Sequence, residues 1–230
     1  MCIIAIKPKN KEMFDKKTID AMFINNPDGA GYMYYDSKSR KVVIKKGFMT
    51  SKALMKSLNE KNLINTNVIL HFRIGTSGFN DKMNCHPYPI YQKNALECKT
   101  DIAMAHNGIL QGYIPPKASD INDTQVFIQN VLNGLKKGFQ YDADKLALIK
   151  EIIDTNKLAF LDSKNKITLI GNFIEDNGYI YSNTSYKPRV AFQNSTIVYK
   201  NNTQKSVSSP IWDDIDETGF WKDWDLKYQN

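Results

Sequence analysis

The chain has 230 residues, 42% of them hydrophobic, with 31 basic against 24 acidic side chains and a net charge of +7. That length supports one sizeable core with at most a small appendage. No run approaches the roughly 18 apolar residues of a membrane span, and the first 30 residues carry Lys7, Lys9, Lys11, Asp15, Lys16 and Lys17 where a secretory signal needs an apolar stretch. A cytoplasmic location is therefore expected. Three cysteines, Cys2, Cys85 and Cys98, do not make a disulfide framework in a chain of this size. The positive charge is spread over single lysines and short pairs without interleaved aromatics, so a nucleic-acid partner is not expected.

Residues 2–6 are apolar and β-branched, the pattern of a buried strand. Residues 17–24 follow with helical spacing and stop at the turn Asn26-Pro27-Asp28-Gly29. Residues 31–35 and 41–46 read as two strands joined by the polar Asp36-Ser37-Lys38-Ser39-Arg40. Leu54, Met55 and Leu58 predict a helix over 51–61 with Ser51 as its N-cap, and residues 67–73 return as a strand. Residues 102–105 are strand-like. Val126, Phe127, Val131 and Leu135 predict one helical face over 123–135, and Leu146, Leu148, Ile149, Ile152 and Ile153 mark another helix. Short strands follow at 157–161, 166–170 and 178–182, so the order of elements predicts a layered α+β architecture.

The last twenty residues differ from the rest. Asp213, Asp214, Asp216, Glu217, Asp223 and Asp225 stand there against Lys222 and Lys227, together with Trp212, Trp221 and Trp224. Residues 201–230 are read as a polar linker and an acidic aromatic tail, which either docks on its own basic body or anchors a partner protein.

Cys2 stands directly behind Met1. Removal of Met1 gives this residue a thiol and a free α-amine whose reference pKa values, about 8.5 and about 7.7 to 8.0, lie close enough for the amine to take the thiol proton. Read alone, a Cys at this position is more often an inert core residue. His71, His86 and His106 lie within 36 residues together with Cys85 and Cys98, but no Cys-x-x-Cys or His-x-x-x-His spacing is present, and neither a metal nor a cofactor is expected. In His71-Phe72-Arg73-Ile74-Gly75-Thr76-Ser77-Gly78, strand alternation puts His71 and Arg73 on one face ahead of a small-residue loop. An arginine there can hold a carboxylate bidentately. In Ala105-His106-Asn107-Gly108, a side-chain amide beside a glycine N–H can offer two donors to one developing oxyanion.

In this order behind an N-terminal Cys, these stretches resemble the class II glutamine amidotransferases, the Cys branch of the N-terminal nucleophile hydrolases. The matching residues are Cys2, Asn26-Pro27-Asp28-Gly29-Ala30-Gly31, the block from His71 to Thr76, Asn84-Cys85-His86-Pro87, His106-Asn107-Gly108 and Asp123-Thr124, and a late stretch from Lys157 through Gly171 to Ser182-Asn183 resembles the family's second sheet. Ile3, Ile74, Ser77 and Gln125 depart from the usual pattern. The resemblance implies an α+β fold of four layers, αββα, over residues 1–200, and hydrolysis of the glutamine side-chain amide to glutamate and ammonia. It implies Cys2 as nucleophile with its own amine as base, Asn107 and Gly108 as oxyanion hole, Arg73 on the substrate carboxylate, Asp123 on its ammonium, and Thr76 and His86 lining the pocket. No Gly-x-x-x-x-Gly-Lys loop is present, so a separate ammonia-accepting synthetase or modifying enzyme is the expected partner. A stand-alone amidase for another γ-glutamyl or N-acyl compound, or an inert binding protein on the same fold, are the other readings.

Overall fold

A computed structural model describes residues 1–76, 78–117 and 119–188. The chain runs through β1 (Ile3–Lys7), α1 (Lys16–Asn25), β2 (Ala30–Asp36), β3 (Lys41–Phe48), α2 (Ser51–Asn59), β4 (Val68–Phe72), β5 (Tyr88–Pro89), β6 (Glu97–Thr100) and β7 (Ile102–Asn107). It continues through α3 (Asp123–Asn130), α4 (Ala143–Ile153), β8 (Lys157–Asp162), β9 (Ile167–Ile170), β10 (Ile174–Asp176) and β11 (Tyr179–Tyr181). The strands form two antiparallel sheets, one ordered β10-β11-β1-β4-β2-β3-β6 and the other β5-β7-β8-β9. Mixed α/β architecture with four α-helices among the described residues is thus the observed class.

The period-2 alternation of strands sorts the core into three clusters. From β1, Ile3 and Ala5 join Ile19, Met22 and Phe23 of α1 and Leu54 and Leu58 of α2. The intervening Ile4 and Ile6 meet Ala103 and Ala105 of β7 and Ala159 and Leu161 of β8. Small alanines on the second sheet let the two sheets approach. The other face of that sheet, with Met104, Leu158 and Phe160, packs on Phe127 and Ile128 of α3 and Ile149 and Ile153 of α4. Each fully buried large aliphatic side chain here contributes about 1.5–3 kcal/mol. Cys2 continues the Ile4 and Ile6 side of β1, which aims it between the sheets rather than toward α1.

Several sequence expectations shift in detail. Thr50, not Ser51, caps α2, because Thr50 is extended and its hydroxyl accepts from Ala53 N–H; Ser51 is the first helical residue. Thr50→Ala should therefore cost about 1 kcal/mol, read as a fall of about 2–4 °C in thermal midpoint; an unchanged midpoint would remove the cap from the stability of α2. The helix expected over 123–135 ends at Asn130. A separate single turn, Leu132–Gly134, follows, and Asn133 leaves helical register to accept the Tyr91 N–H at 2.9 Å. The buried stripe of α4 is narrower than its apolar content suggested, since Leu148 is 58% exposed. β5, β6 and β10 were not expected. The region 201–230, with Trp212 to Trp224, lies outside the described residues, and so does the expected boundary at 200. Among the described residues no helix is long and apolar enough to cross a membrane.

Candidate active site

The ends of β1, β4 and β7 converge. β1 pairs β4 with Ile3 opposite Phe72 and Ile4 opposite His71, so continuing the register sets Cys2 beside Arg73. Cys2 Sγ accepts from Ile74 N–H at 3.3 Å and lies 3.4 Å from the Ile74 carbonyl. Asn183 holds the Cys2 carbonyl, its Nδ2 donating at 2.7 Å. Burial pushes the Cys2 thiol up from its ordinary value, opposed by the Ile74 backbone, the N-terminal charge and Arg73. Met1 ahead of it is 79% exposed.

Arg73 is 3% exposed and donates through Nη1 to Asn80 Oδ1 at 3.0 Å. Asn80 Nδ2 in turn donates to Asp28, whose other carboxylate oxygen accepts Gly75 N–H at 2.8 Å. This Asp28–Asn80–Arg73 chain ties the loop after β4 to the turn before β2. The sequence reading placed Asp28 in a motif without giving it this work, and Asn80 was missed. The signal available was a carboxylate in a turn that needs none for its own geometry. Gly31 is fixed by close approach, because a Cβ there would lie 2.2 Å from the His86 carbonyl oxygen.

The three histidines form a buried, uncharged block; among the described residues no group of three His, Cys, Asp or Glu is placed to hold a metal. His71 and His86 stack with ring centroids 4.1 Å apart. Burial lowers the His71 pKa to about 3 and that of His86 well below the usual histidine value. Hydrogen bonding fixes their tautomers. His71 Nε2 donates to the His106 carbonyl at 2.9 Å, and His86 Nδ1 accepts the His106 N–H at 3.1 Å, which puts the proton of neutral His86 on Nε2. Asn156 Nδ2 donates to the Ile153 carbonyl at 2.7 Å, so its Oδ1 must accept from His106 Nε2 at 2.9 Å, leaving His106 Nδ1 to accept the Thr124 hydroxyl at 2.8 Å. Burial lowers the His106 pKa, against the pull of Asp123 and Asn156. His106 thereby locks β7 to α3 and to the turn before β8.

Beyond β7, Gly108 has φ +143° and a Cβ on it would fall 1.8 Å from Asn156 Oδ1. Asn107 is 4% exposed, and its Nδ2 donates to Ser182 Oγ at 2.8 Å. Asp123 is 4% exposed at the start of α3, where Asn122 is the N-cap. Its two oxygens accept Leu110 N–H at 2.8 Å and Thr124 N–H at 2.9 Å, which sets the carboxylate at the site's edge. Gln125, one of the departures, donates to Asn84 Oδ1 at 2.9 Å and accepts from Asn94 at 3.2 Å, so it works behind the site as a bridge.

A narrow cleft is lined by Cys2, Arg73, Thr76, His86, Gly108 and Asp123, together with Ile74, His106, Asn122 and Thr124. Six of the seven residues expected at the site from sequence therefore share one cleft. Asn107 borders the adjoining, larger cavity, which Gly108 also lines. Sequence reasoning had not singled out Asn156 as a support for this region. Its importance depends on the position of the turn before β8, which local spacing does not encode.

The family model for class II glutamine amidotransferases matches residues 17–155, more than half of the chain. This chain belongs to the class II glutamine amidotransferases. A curated relative is the isomerizing glutamine–fructose-6-phosphate aminotransferase of Thermotoga maritima, 30% identical over 122 residues, which are 49% of this chain and 18% of that protein. The chain thus matches less than a fifth of the relative's length.

Proposed function

We propose that this chain hydrolyses the side-chain amide of glutamine, with Cys2 as nucleophile once Met1 is removed, on a four-layer αββα sandwich spanning residues 1–200. The observation that carries the proposal is the shared cleft of Cys2, Arg73, Thr76, His86, Gly108 and Asp123. A free amino acid needs one cation and one anion at fixed separation. Arg73 takes the α-carboxylate and Asp123 the α-ammonium, and Thr76 and His86 shape the space for the side chain.

The Cys2 α-amine removes the thiol proton, and Sγ forms a bond to the amide carbon as the carbonyl π bond opens to an oxyanion. Asn107 Nδ2–H and Gly108 N–H stabilise that charge. Collapse breaks the C–N bond, the protonated amine returns its proton to the leaving nitrogen, and ammonia departs. Water, deprotonated by the same amine, then cleaves the thioester to glutamate and restores Cys2. Ammonia released into water is lost to dilution, so the proposed outlet is a separate ammonia-accepting enzyme, for which the tail from Trp212 to Trp224 is the proposed contact.

The test is ammonia release from glutamine by protein whose first residue is Cys2. Wild type should turn over, and Cys2→Ala should lose activity with an unchanged melting temperature. Equal rates would assign the ammonia to something other than this thiol.

A further inference from the structure

Asn107 and Ser182 are left with mismatched hydrogen bonds if the amide points as drawn. Ser182 is fully buried just after β11. Its Oγ receives Ile4 N–H at 2.8 Å and Asn107 Nδ2 at 2.8 Å. Two donors occupy both lone pairs of one hydroxyl, whose own proton then needs an acceptor. At the same time Asn107 Oδ1 is buried without a hydrogen-bond partner, which leaves its desolvation uncompensated.

One rotation resolves both. Amide oxygen and nitrogen have nearly the same shape, and their assignment follows from the network. Turning the Asn107 amide by a half-turn puts Oδ1 against Ser182, where it accepts the hydroxyl proton, while Ser182 Oγ still accepts from Ile4. The NH2 group then takes the buried edge where Oδ1 stood without a partner, and its protons await an acceptor there. Ser182 is itself rigidly placed, because its N–H donates to the Ile4 carbonyl at 2.9 Å and Lys157 Nζ donates to its carbonyl. The next residue, Asn183, holds the carbonyl of Cys2.

We propose that Ser182 is a positioning residue: its hydroxyl donates to Asn107 Oδ1 and so turns the Asn107 NH2 to the opposite, unheld edge, where it serves as an oxyanion donor. This rests on the glutaminase reading of the site. The two residues Ser182 and Asn183 then set both halves of the reaction from one strand end, one through the amide donor and one through the backbone of the nucleophile. Removing the hydroxyl leaves the Asn107 amide free to point either way.

The experiment is a double-variant cycle on the full chain beginning at Cys2, with glutamine as substrate. Ser182→Ala should lower kcat by about 10- to 100-fold, less than the roughly 10²- to 10³-fold loss of an oxyanion donor itself, with KM changed less than about 2-fold. In the Asn107→Ala background, Ser182→Ala should have no further effect on kcat, because its action runs through that amide. Independent, multiplying losses would make Ser182 a structural residue and overturn the proposal, as would a Ser182→Ala enzyme with wild-type kcat. If Ser182→Ala does not fold, Ser182→Cys, a weaker donor of similar shape, is taken through the same cycle with the same two outcomes. A wild-type protein without glutaminase activity would instead refute the underlying reading and is recognised before any Ser182 variant is made.

Discussion

Protein that keeps a residue ahead of Cys2 should hydrolyse glutamine about 10²- to 10⁴-fold more slowly than the same chain beginning at Cys2, the range expected for loss of a general base. The reason is local. Burial raises the Cys2 thiol above its ordinary value, so little thiolate exists at neutral pH unless a base is at hand. The three histidines cannot supply it: His71 titrates near 3, and His86 and His106 are lowered by burial and hold their neighbours through fixed tautomers. The free amine of Cys2 is the proposed base, carried on the same residue as the thiol, with a reference value of about 7.7 to 8.0. It acts when deprotonated, so kcat/KM of the mature chain should rise with pH through roughly that range. The blocked chain should have no such limb and should follow the higher titration of the buried thiol. Cleavable-tag proteins with and without Met1, checked by intact mass and assayed for ammonia across pH 6 to 9, make the comparison. Met1 is 79% exposed and open to processing. Identical rates and profiles for the two forms would exclude the amine as base.

Much of the site could be read from the sequence because its residues leave strands at predictable phase. His71 and Arg73 share a face by alternation, and Cys2 shares one with Ile4 and Ile6. Asn107 ends β7 and Gly108 follows it directly, and Asp123 opens α3, as the short motifs implied. What was not legible depends on contacts between distant segments. Glu97–Thr100 is a strand because its backbone pairs with β3, and although Cys98 and Thr100 turn inward between exposed Glu97 and Lys99, four residues with one apolar side chain are too few to show the period. Tyr88–Pro89 is too short to show a period. The Thr50 cap lost to Ser51 in the reading because either hydroxyl suits an N-cap, and only the extended backbone at Thr50 decides between them. Asn80, Asn156 and Ser182 are polar residues in loops or at a strand end, and their roles exist only through partners tens of residues away.

These supporting residues explain why the site keeps its shape while holding so many buried polar groups. Asp28 and Asn80 brace Arg73, Asn156 braces His106, and Asn183 braces Cys2. Three of the four braces are neutral amides: Asn156 and Asn183 donate to backbone carbonyls, and Asn80 links the Arg73 guanidinium to the Asp28 carboxylate. Such amides satisfy buried groups without adding a titratable group of their own.

Gly108→Ala should be strongly damaging to both stability and turnover. Its Cβ would stand 1.8 Å from Asn156 Oδ1 and 2.6 Å from Asn156 Cγ, at a φ of +143° that L side chains rarely adopt. The backbone conformation alone costs about 1–3 kcal/mol. Relieving the overlap by moving Asn156 also removes the acceptor of His106 Nε2, and with it the bond that fixes β7 to the turn before β8. A stability loss of about 2–4 kcal/mol follows if both apply, together with a roughly 10²- to 10³-fold loss in kcat as the residue 108 N–H moves off the oxyanion. Asn156→Gly on top of Gly108→Ala separates the two causes. It removes the steric partner but neither restores the His106 acceptor nor changes φ, so the melting temperature should recover in part and kcat should not. Urea unfolding and ammonia release from glutamine read the two quantities on the same samples. A Gly108→Ala protein with wild-type stability and turnover would mean that residue 108 carries neither the packing constraint nor the oxyanion donor assigned to it.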